Sequence, residues 1–274
     1  MKAILKYLFI GEFSWKRVRT SLLLIPICVY LGLLVIALFL ADRAIFRPQD
    51  SSYKDDSSIL KLSTPGGESI SAKYYPNREA KYTILFSHGN AEDIGHLEPF
   101  IEYLRDSGFS VMTYDYRGYG TSQGTPAEQK AYEDIDTAYR YLTEELKVSP
   151  DRVILHGRSL GGGVAVDLAS RESVAGLIME STFTSAFRVV TKWPMLPFDK
   201  FDSIEKIRRV KTPVLVIHGK RDRTISFHHG EELLAAAPGV KDSFWVDDAG
   251  HNDLFSRVPI SYLRRIKEFS EGLK

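Results

Sequence analysis

Residues 152–166 read RVILHGRSLGGGVAV, and this stretch decides the fold. A short apolar run at 153–155 leads through Gly157 to Ser159 and Gly161, and further glycines follow. The pattern predicts a strand, a sharp turn and a helix, because glycines on both sides of Ser159 leave room for a tight, strained turn. Such a turn pushes the serine hydroxyl out at the edge of a sheet, where it is a candidate nucleophile. The alternative is a glycine-rich connection that carries an idle serine.

The length and charge of the chain narrow the classes of function. The chain has 274 residues, which is enough for one α/β domain with an appendage. Its formal net charge is +1, so no nucleic-acid partner is expected. Cys28 is the single cysteine and rules out an internal disulfide. The sequence contains neither C-x-x-C nor H-E-x-x-H spacing, so neither a metal nor a cofactor is expected.

The N-terminal region predicts a membrane anchor. Residues 21–41 carry no charge, and at about 1.5 Å per residue roughly 20 apolar residues cross a bilayer core. An uncleaved signal anchor is favoured over a cleaved signal peptide, because the apolar run is long and no small-x-small cleavage site follows it. The span follows a basic region at residues 1–20 with one acid, Glu12. The basic residues are Lys2, Lys6, Lys16, Arg17 and Arg19.

The flanking charges also predict the orientation of this anchor. Basic residues are retained on the cytoplasmic side, so the N-terminus is expected to be cytoplasmic. The rest of the chain is then extracytoplasmic, on the periplasmic side in a bacterium. Arg43 and Arg47, just after the span, weaken the asymmetry.

The rest of the chain divides into a linker and one folded domain. Residues 42–58 are predicted to be a linker, since the run DSSYKDDSS at 50–58 is polar. The folded domain is expected over 59–274. Two runs at 59–63 and 69–75 flank a Pro-Gly-Gly sequence and predict an antiparallel hairpin.

From residue 82 onward apolar runs alternate with helical patterns. Near-continuous apolar strands separated by helices indicate a mostly parallel sheet with helices on both faces. The sequence TPAE at 125–128 is a capping box, which predicts a helix with Thr125 as its N-cap. The predicted strands cover residues 83–86, 110–114, 152–155, 174–179, 213–217 and 243–246.

A serine nucleophile needs a base, and His251 is the predicted one. Histidine suits this task because its unperturbed pKa of about 6.5 lies close to working pH. Among the seven histidines, only His251 lies downstream of a candidate acid and beside a glycine on a post-strand loop. His156 and His218 precede glycines at strand ends and are expected to support turns. The adjacent pair at 228–229 lacks an evident third metal ligand.

Asp222 is the predicted acid that orients the base. It follows the strand at 213–217, where ligands of a parallel sheet bind. Ser159, Asp222 and His251 occur in the order serine, acid, histidine that goes with such a serine turn. Glu180 follows the neighbouring strand and stays open as an alternative acid.

Two backbone N–H groups are predicted to stabilise an oxyanion. A tetrahedral intermediate of acyl transfer needs donors aimed at its negative oxygen. The residue after the nucleophile, Leu160, supplies one donor, and Asn90 in the run SHGNA at 87–91 supplies the other.

Six motifs occur in order along most of the chain. They are SHGNA at 87–91, DYRGYGTSQG at 115–124, GRSLGGG at 157–163, ESTFTS at 180–185, HGKRDRTI at 218–225 and GHND at 250–253. With these motifs the chain resembles the α/β-hydrolase superfamily, and more narrowly the Bem46-like group that includes α/β-hydrolase domain-containing proteins 12, 13 and 17. The resemblance implies an α/β-hydrolase fold and a triad of Ser159, Asp222 and His251. It also implies that 115–124 is a structural loop beside the active site. Thr182 departs from it, since proline is expected there.

A short lid is expected at about 181–212, where this fold carries an insertion. Its apolar residues are predicted either to guide an acyl group from the bilayer surface or to pack as a small cap. These residues are Trp193, Pro194, Met195, Pro197 and Phe198.

The leading hypothesis is a membrane-anchored serine hydrolase that cleaves carboxylic esters or acyl thioesters through an acyl-enzyme. The expected partners are the lipid bilayer, through the N-terminal helix, and an acyl-containing small molecule, lipid or acylated protein as substrate. A serine peptidase or amidase of the same fold is one alternative. A non-catalytic, membrane-tethered binding protein is another.

Overall fold

The computed structural model describes residues 14–191 and 196–273. Part of the predicted basic N-terminus lies outside these residues, as do Trp193, Pro194 and Met195 of the predicted lid. Contacts divide the chain into two units, Met1–Ala44 and Ile45–Lys274. The second unit therefore includes most of the stretch whose composition predicts a linker.

The first unit contains helix α1, Trp15–Ile45, except for its last residue. Its segment Val18–Ile45 has a mean hydropathy of 2.9, and by length and composition it can cross a membrane. Its large apolar side chains are exposed, with Leu22 at 71% and Phe39 at 76%. An apolar helix without a polar face or a protein cover fits a lipid environment better than water.

The second unit is built on one eight-stranded sheet in the order β1-β2-β4-β3-β5-β6-β7-β8. β1 and β2 form an antiparallel hairpin, β2 pairs antiparallel with β4, and all other neighbours are parallel. The predicted hairpin and mostly parallel sheet are confirmed, with strand ends shifted by at most three residues. The strands are β1 Leu60–Ser63, β2 Ser69–Tyr75, β3 Thr83–Ser87, β4 Ser110–Tyr114, β5 Val153–Arg158, β6 Gly176–Glu180, β7 Val214–Gly219 and β8 Lys241–Val246.

Helices cover both faces of this sheet. Successive residues of a strand point to opposite faces, and accordingly Ile154 and Leu155 of β5 belong to two different hydrophobic clusters. The central strands are buried on both sides, as expected for parallel strands. The helices are α2 Ile94–Asp106, α3 Glu128–Arg140, α4 Leu160–Ala169, α5 Ser203–Ile207, α6 His228–Ala236, α7 Leu254–Arg257 and α8 Pro259–Glu271.

The predicted capping box is wrong. Helix α3 begins at Glu128 with Ala127 as its N-cap, and the cap makes no side-chain hydrogen bond. The Glu128 carboxylate instead accepts the Tyr132 hydroxyl at 2.8 Å and the Phe201 N–H at 2.5 Å. The Glu128 carboxylate therefore serves contacts beyond the first turn of its helix.

Candidate active site

Ser159 occupies the sharp turn between β5 and α4. Its φ of 53° and ψ of −116° lie in a region that side-chain-bearing residues rarely adopt. Neighbouring groups hold it there, since the Ser159 N–H donates to the Glu180 carbonyl at 2.8 Å. The Thr182 hydroxyl donates to the Ser159 carbonyl at 2.7 Å. Thr182, where proline was expected, thus supplies a hydrogen bond that proline cannot make.

Two glycines make this turn possible. A Cβ on Gly157 would lie 2.2 Å from the carbonyl oxygen of Gly161. A Cβ on Gly161 would lie 2.0 Å from the carbonyl oxygen of Ser87 on β3. Both positions therefore exclude any larger residue, which is the physical meaning of the G-x-S-x-G pattern here.

The structure brings the three predicted triad residues together. His251 Nε2 lies 3.0 Å from the Ser159 hydroxyl oxygen, and His251 Nδ1 lies 2.7 Å from Asp222 Oδ2. Since an ionised carboxylate only accepts, Nδ1 carries the ring proton and Nε2 is left to accept the serine proton. The His251 side chain is 12% exposed, whereas the Asp222 side chain is fully buried.

Asp222 is held as a carboxylate by its surroundings. Its Oδ1 accepts the N–H groups of Thr224 and Ile225, both at 2.8 Å. Burial on its own would raise the pKa of Asp222, but hydrogen bonding to the neighbouring His218 and His251 rings lowers this pKa well below its usual range. The acid is therefore ionised at neutral pH and able to stabilise a protonated His251.

Glu180, the alternative acid, is engaged elsewhere. Its carboxylate accepts Arg158 Nε at 3.1 Å and the Tyr262 hydroxyl at 2.5 Å, and it lies 3.1 Å from His156 Nε2. Burial opposes its ionisation, but the Arg158 charge and the His156 contact lower its pKa to about 2. Within the described residues Glu180 makes no hydrogen bond to His251, so the geometry favours Asp222 as the orienting acid.

The remaining histidines have local contacts. His218 Nε2 lies 2.9 Å from the Ile225 carbonyl, so this ring supports the loop that carries Asp222. His229 Nδ1 lies 2.9 Å from the Thr184 hydroxyl, and its ring stacks on that of His228. Among residues 14–191 and 196–273 no group of three or more potential metal ligands occurs.

Both predicted oxyanion donors lie beside the nucleophile. The N–H of Leu160 is at the start of α4, where the helix dipole favours negative charge. The loop that carries Asn90 passes close to the nucleophile, since a Cβ on Gly89, the residue before Asn90, would lie 3.7 Å from the Ser159 Cβ. Neither N–H donates to an acceptor in the described part of the chain. Both are therefore available to a substrate oxygen.

An ion network that contacts this loop was not predicted from the sequence. Arg158 Nη1 donates to Glu92 Oε1 at 3.1 Å, and Glu92 Oε2 accepts the N–H of Gly89 at 2.9 Å. Arg158 at the end of β5 is thereby connected, through Glu92, to the loop that carries Asn90. The signal in the sequence for this network was Arg158, a charged residue directly before Ser159 inside the G-x-S-x-G motif.

The described part of the predicted lid contains a 3₁₀ turn and the helix α5. A 3₁₀ turn, Phe187–Val189, places the Phe187 ring 5.9 Å from that of Phe198. Asp199 closes the segment by accepting the Ser185 hydroxyl at 2.6 Å and the Phe187 N–H at 2.9 Å. These contacts fit a small cap, and the predicted role in guiding an acyl group stays a prediction.

Comparison with known proteins identifies the family. A family model described as serine aminopeptidase, S33, matches residues 78–201. α/β-Hydrolase domain-containing protein 17B of Xenopus tropicalis is 39% identical over 239 residues, which are 85% of this chain and 81% of that protein. The chain belongs to the α/β-hydrolase family. The mouse family member 17C is 42% identical over 193 residues, or 69% of this chain, and the match spans only 60% of its length.

Solved structures of α/β-hydrolases share this fold. An esterase of Pyrococcus furiosus superposes with a TM-score of 0.72 at 18% identity, covering 84% of this chain and 98% of its own. Mouse α/β-hydrolase domain-containing protein 10 gives a TM-score of 0.62 at 17% identity, and the match covers 78% of this chain and 99% of the mouse chain. The predicted α/β-hydrolase fold and the resemblance to the domain-containing protein 17 group are confirmed.

Proposed function

We propose that this protein is a membrane-anchored serine hydrolase that cleaves carboxylic esters or acyl thioesters. The observation that carries the proposal is the unbroken hydrogen-bonded series from Ser159 through His251 to Asp222. A strained turn presents the nucleophile, and two free N–H groups flank it. Nucleophile, base, orienting acid and oxyanion donors are the full set that acyl transfer requires.

The reaction proceeds in two balanced halves. Ser159 Oγ attacks the substrate carbonyl carbon while His251 Nε2 takes the hydroxyl proton, and the carbonyl oxygen becomes an oxyanion facing the N–H groups of Asn90 and Leu160. Collapse expels the alcohol or thiol, which takes the proton from His251. Water then attacks the acyl-enzyme with His251 again as base, releasing the carboxylic acid and restoring Ser159.

Helix α1 supports the anchoring part of the proposal. Its apolar segment is long enough for a bilayer core, and residues 1–20, before the predicted span, contain five basic residues and one acid. The N-terminus is then cytoplasmic, residues 21–41 cross the bilayer, and the domain at 59–274 is extracytoplasmic. A bilayer-tethered hydrolase meets substrates that lie in or near the membrane, so acyl-containing small molecules, lipids and acylated proteins are the proposed substrates.

A peptidase or amidase is the second candidate. The description of the matching family model, serine aminopeptidase, favours it. The same nucleophile, base and donors serve amide hydrolysis, which differs mainly in the poorer leaving group. The esterase among the structural neighbours agrees with the first candidate in fold alone.

A fluorophosphonate probe tests the nucleophile. The full-length protein in detergent should be labelled covalently, and Ser159→Ala should lose labelling and at least roughly 1000-fold of its esterase turnover. Ser170→Ala is the matched control, since the one hydrogen bond of its hydroxyl within the described residues is donated to the Asp167 carbonyl. Failure of the native protein to react would favour the non-catalytic binding protein, whereas equal labelling of Ser159→Ala would show that Ser159 is not the nucleophile.

A substrate panel separates the two enzymatic candidates. Esters, thioesters and amides that carry the same acyl groups of increasing length should be compared by kcat/KM. The proposal expects esters or thioesters to be preferred over the matched amides at every chain length. A preference for amides, above all those with a free N-terminal amine, would reassign the protein as a peptidase.

A further inference from the structure

The residues that follow helix α1 pack against the candidate oxyanion loop. We call residues 45–53 the post-helix segment and residues 88–94 the donor loop. Composition predicts a linker here, and six residues of the segment are exposed polar residues or proline. Five residues of the segment nevertheless make specific contacts with the donor loop or with the neighbouring loop at 115–121. These five are Ile45, Phe46, Arg47, Ser52 and Tyr53.

The side chain of Asn90 is held by the post-helix segment at both ends. Its Nδ2 donates to the Ile45 carbonyl at 2.5 Å, and its Oδ1 accepts the Arg47 N–H at 2.8 Å. The Tyr119 hydroxyl bridges Asn90 and Arg47. It donates to Asn90 Oδ1 at 2.6 Å and accepts the Arg47 N–H at 3.0 Å. The amide of Asn90 therefore cannot turn without breaking contacts to two residues of the segment.

The buried ring of Phe46, between the residues that make these polar contacts, packs the segment against the domain. Phe46 is only 3% exposed. Its ring centroid lies 6.4 Å from that of Tyr119 and 5.8 Å from that of Phe201. Burying such a ring is among the larger contributions that one side chain can make to packing. The segment is thus attached to the domain by a core residue rather than by surface contacts alone.

The far end of the segment binds the far end of the donor loop. The Ser52 N–H donates to Asp93 Oδ2 at 2.7 Å, and Asp93 is the N-cap of α2. The Tyr53 hydroxyl donates to Asp115 Oδ2 at 2.5 Å, while Asp115 Oδ1 accepts the N–H of Ile94 at 2.9 Å. The donor loop is consequently held at its middle and at its C-terminal end.

We propose that the post-helix segment is a positioning element of the active site, which sets the Asn90 N–H at the oxyanion position. The inference rests on the proposed function, because it needs Asn90 to be a donor. A donor must be held to within roughly 0.5 Å of its productive position. A displacement of about 1 Å can cost roughly 100-fold in rate. The segment acts through Asn90 and does not touch the substrate.

This arrangement joins the anchor to the catalytic machinery. Ile45 is both the last residue of α1 and the first residue of the second unit. The chain that leaves the proposed membrane helix therefore contacts the Asn90 side chain within three residues. Tethering and donor placement depend on the same short piece of backbone.

Removal of the Phe46 ring tests the proposal. The full-length protein in detergent is assayed with a water-soluble short-chain ester, so that delivery from a bilayer plays no part. Phe46→Ala should lower kcat and the rate of fluorophosphonate labelling by roughly 10-fold to 100-fold, with KM changed by less than about twofold. Phe46→Leu should recover most of the loss.

Phe109→Ala is the matched control. Phe109 is 4% exposed and belongs to the hydrophobic cluster on the other face of the sheet. It should lose thermal stability as Phe46→Ala does, while keeping kcat within about twofold. Equal loss of kcat in both variants, or unchanged kcat in a folded Phe46→Ala protein, would overturn the proposal.

Tyr119→Phe keeps the test decisive if Phe46→Ala fails to fold. It removes only the hydroxyl that bridges Asn90 and Arg47. We expect kcat to fall roughly threefold to tenfold, as for one lost hydrogen bond, with KM unchanged. Wild-type kcat in this variant would overturn the proposal as well. Failure of the wild-type protein itself to react with the probe would instead refute the proposed function.

Discussion

Two histidine–carboxylate pairs lie close to the nucleophile, and they differ in where the ring points. His251 and Asp222 sit on the loops after β8 and β7, and the free ring nitrogen of His251 faces Ser159. His156 and Glu180 sit within β5 and β6, one strand away, and both are fully buried. The same two side-chain types thus form the proposed base and its acid in one place and a closed core pair in the other.

The counter-charge explains the difference in chemistry. Glu180 forms an ion pair with Arg158, whose guanidinium also lies 4.5 Å from the centre of the Phe100 ring. Burial lowers the pKa of His156 despite the adjacent carboxylate, so its ring is neutral. Asp222 has no arginine or lysine partner within the described residues. Its negative charge is therefore available to a proton arriving on His251, whereas that of Glu180 is already compensated.

The largest expected effect is on turnover in Asp222→Asn. An asparagine keeps the shape but favours the wrong ring tautomer, so kcat should fall on the order of 10⁴-fold. Glu180→Gln should keep kcat within about tenfold, because Glu180 does not contact His251. Steady-state kinetics on one soluble ester, with unfolding curves to show that both variants are folded, decides between them. The reverse ranking would make Glu180 the acid and break the comparison.

The second expectation concerns stability. Here Glu180→Gln should have the larger effect and Asp222→Asn the smaller one, the reverse of their order for turnover. Glu180→Gln leaves Arg158 buried without one of its two carboxylate partners. Removing one member of a buried ion pair typically costs about 3 to 5 kcal/mol. Urea unfolding at pH 7 should show this loss in Glu180→Gln and a smaller one in Asp222→Asn. A wild-type midpoint for Glu180→Gln would mean that the pair contributes nothing to the core.

Much of the fold was predictable because its signals are local. Strand β5, the glycines at 157 and 161, and the strained Ser159 follow from steric rules that act within ten residues. Strand β8 was predicted two residues too short, since its first residues, Lys241 and Asp242, are exposed and carry no apolar signal. The capping box failed because tertiary contacts of Glu128 override a local preference.

The site was predictable in part, and for a topological reason. Parallel strands end at one edge, so residues after β5, β7 and β8 must lie near one another. That rule alone could not separate Asp222 from Glu180, because both lie at the carboxyl ends of strands at this edge. Nor could this rule reveal the contacts of Ile45 and Tyr53. The mostly polar stretch to which they belong carries no periodicity that predicts a docking site.

The smallest expected effect is the acid dependence of stability contributed by Glu180. Its pKa in the folded protein is about 2, below the ordinary value of 4.5. A depressed carboxyl pKa stabilises the folded state above the unfolded pKa, and this stability is lost as pH falls from about 4.5 toward 2. The contribution is roughly 3 kcal/mol at neutral pH, of which about 2 kcal/mol should be gone by pH 3.

Comparing the unfolding free energies of the wild-type protein and Glu180→Gln at pH 6 and pH 3 isolates the contribution of Glu180. Asp115 and Asp134 oppose the trend, since burial raises their pKa values to about 8 and about 6, but both are present in wild type and in Glu180→Gln. Between pH 6 and pH 3 the wild-type protein should therefore lose about 2 kcal/mol more unfolding free energy than the variant. Equal losses would show that the Glu180 charge is not stabilised by Arg158, and the contrast with Asp222 would then rest on geometry alone.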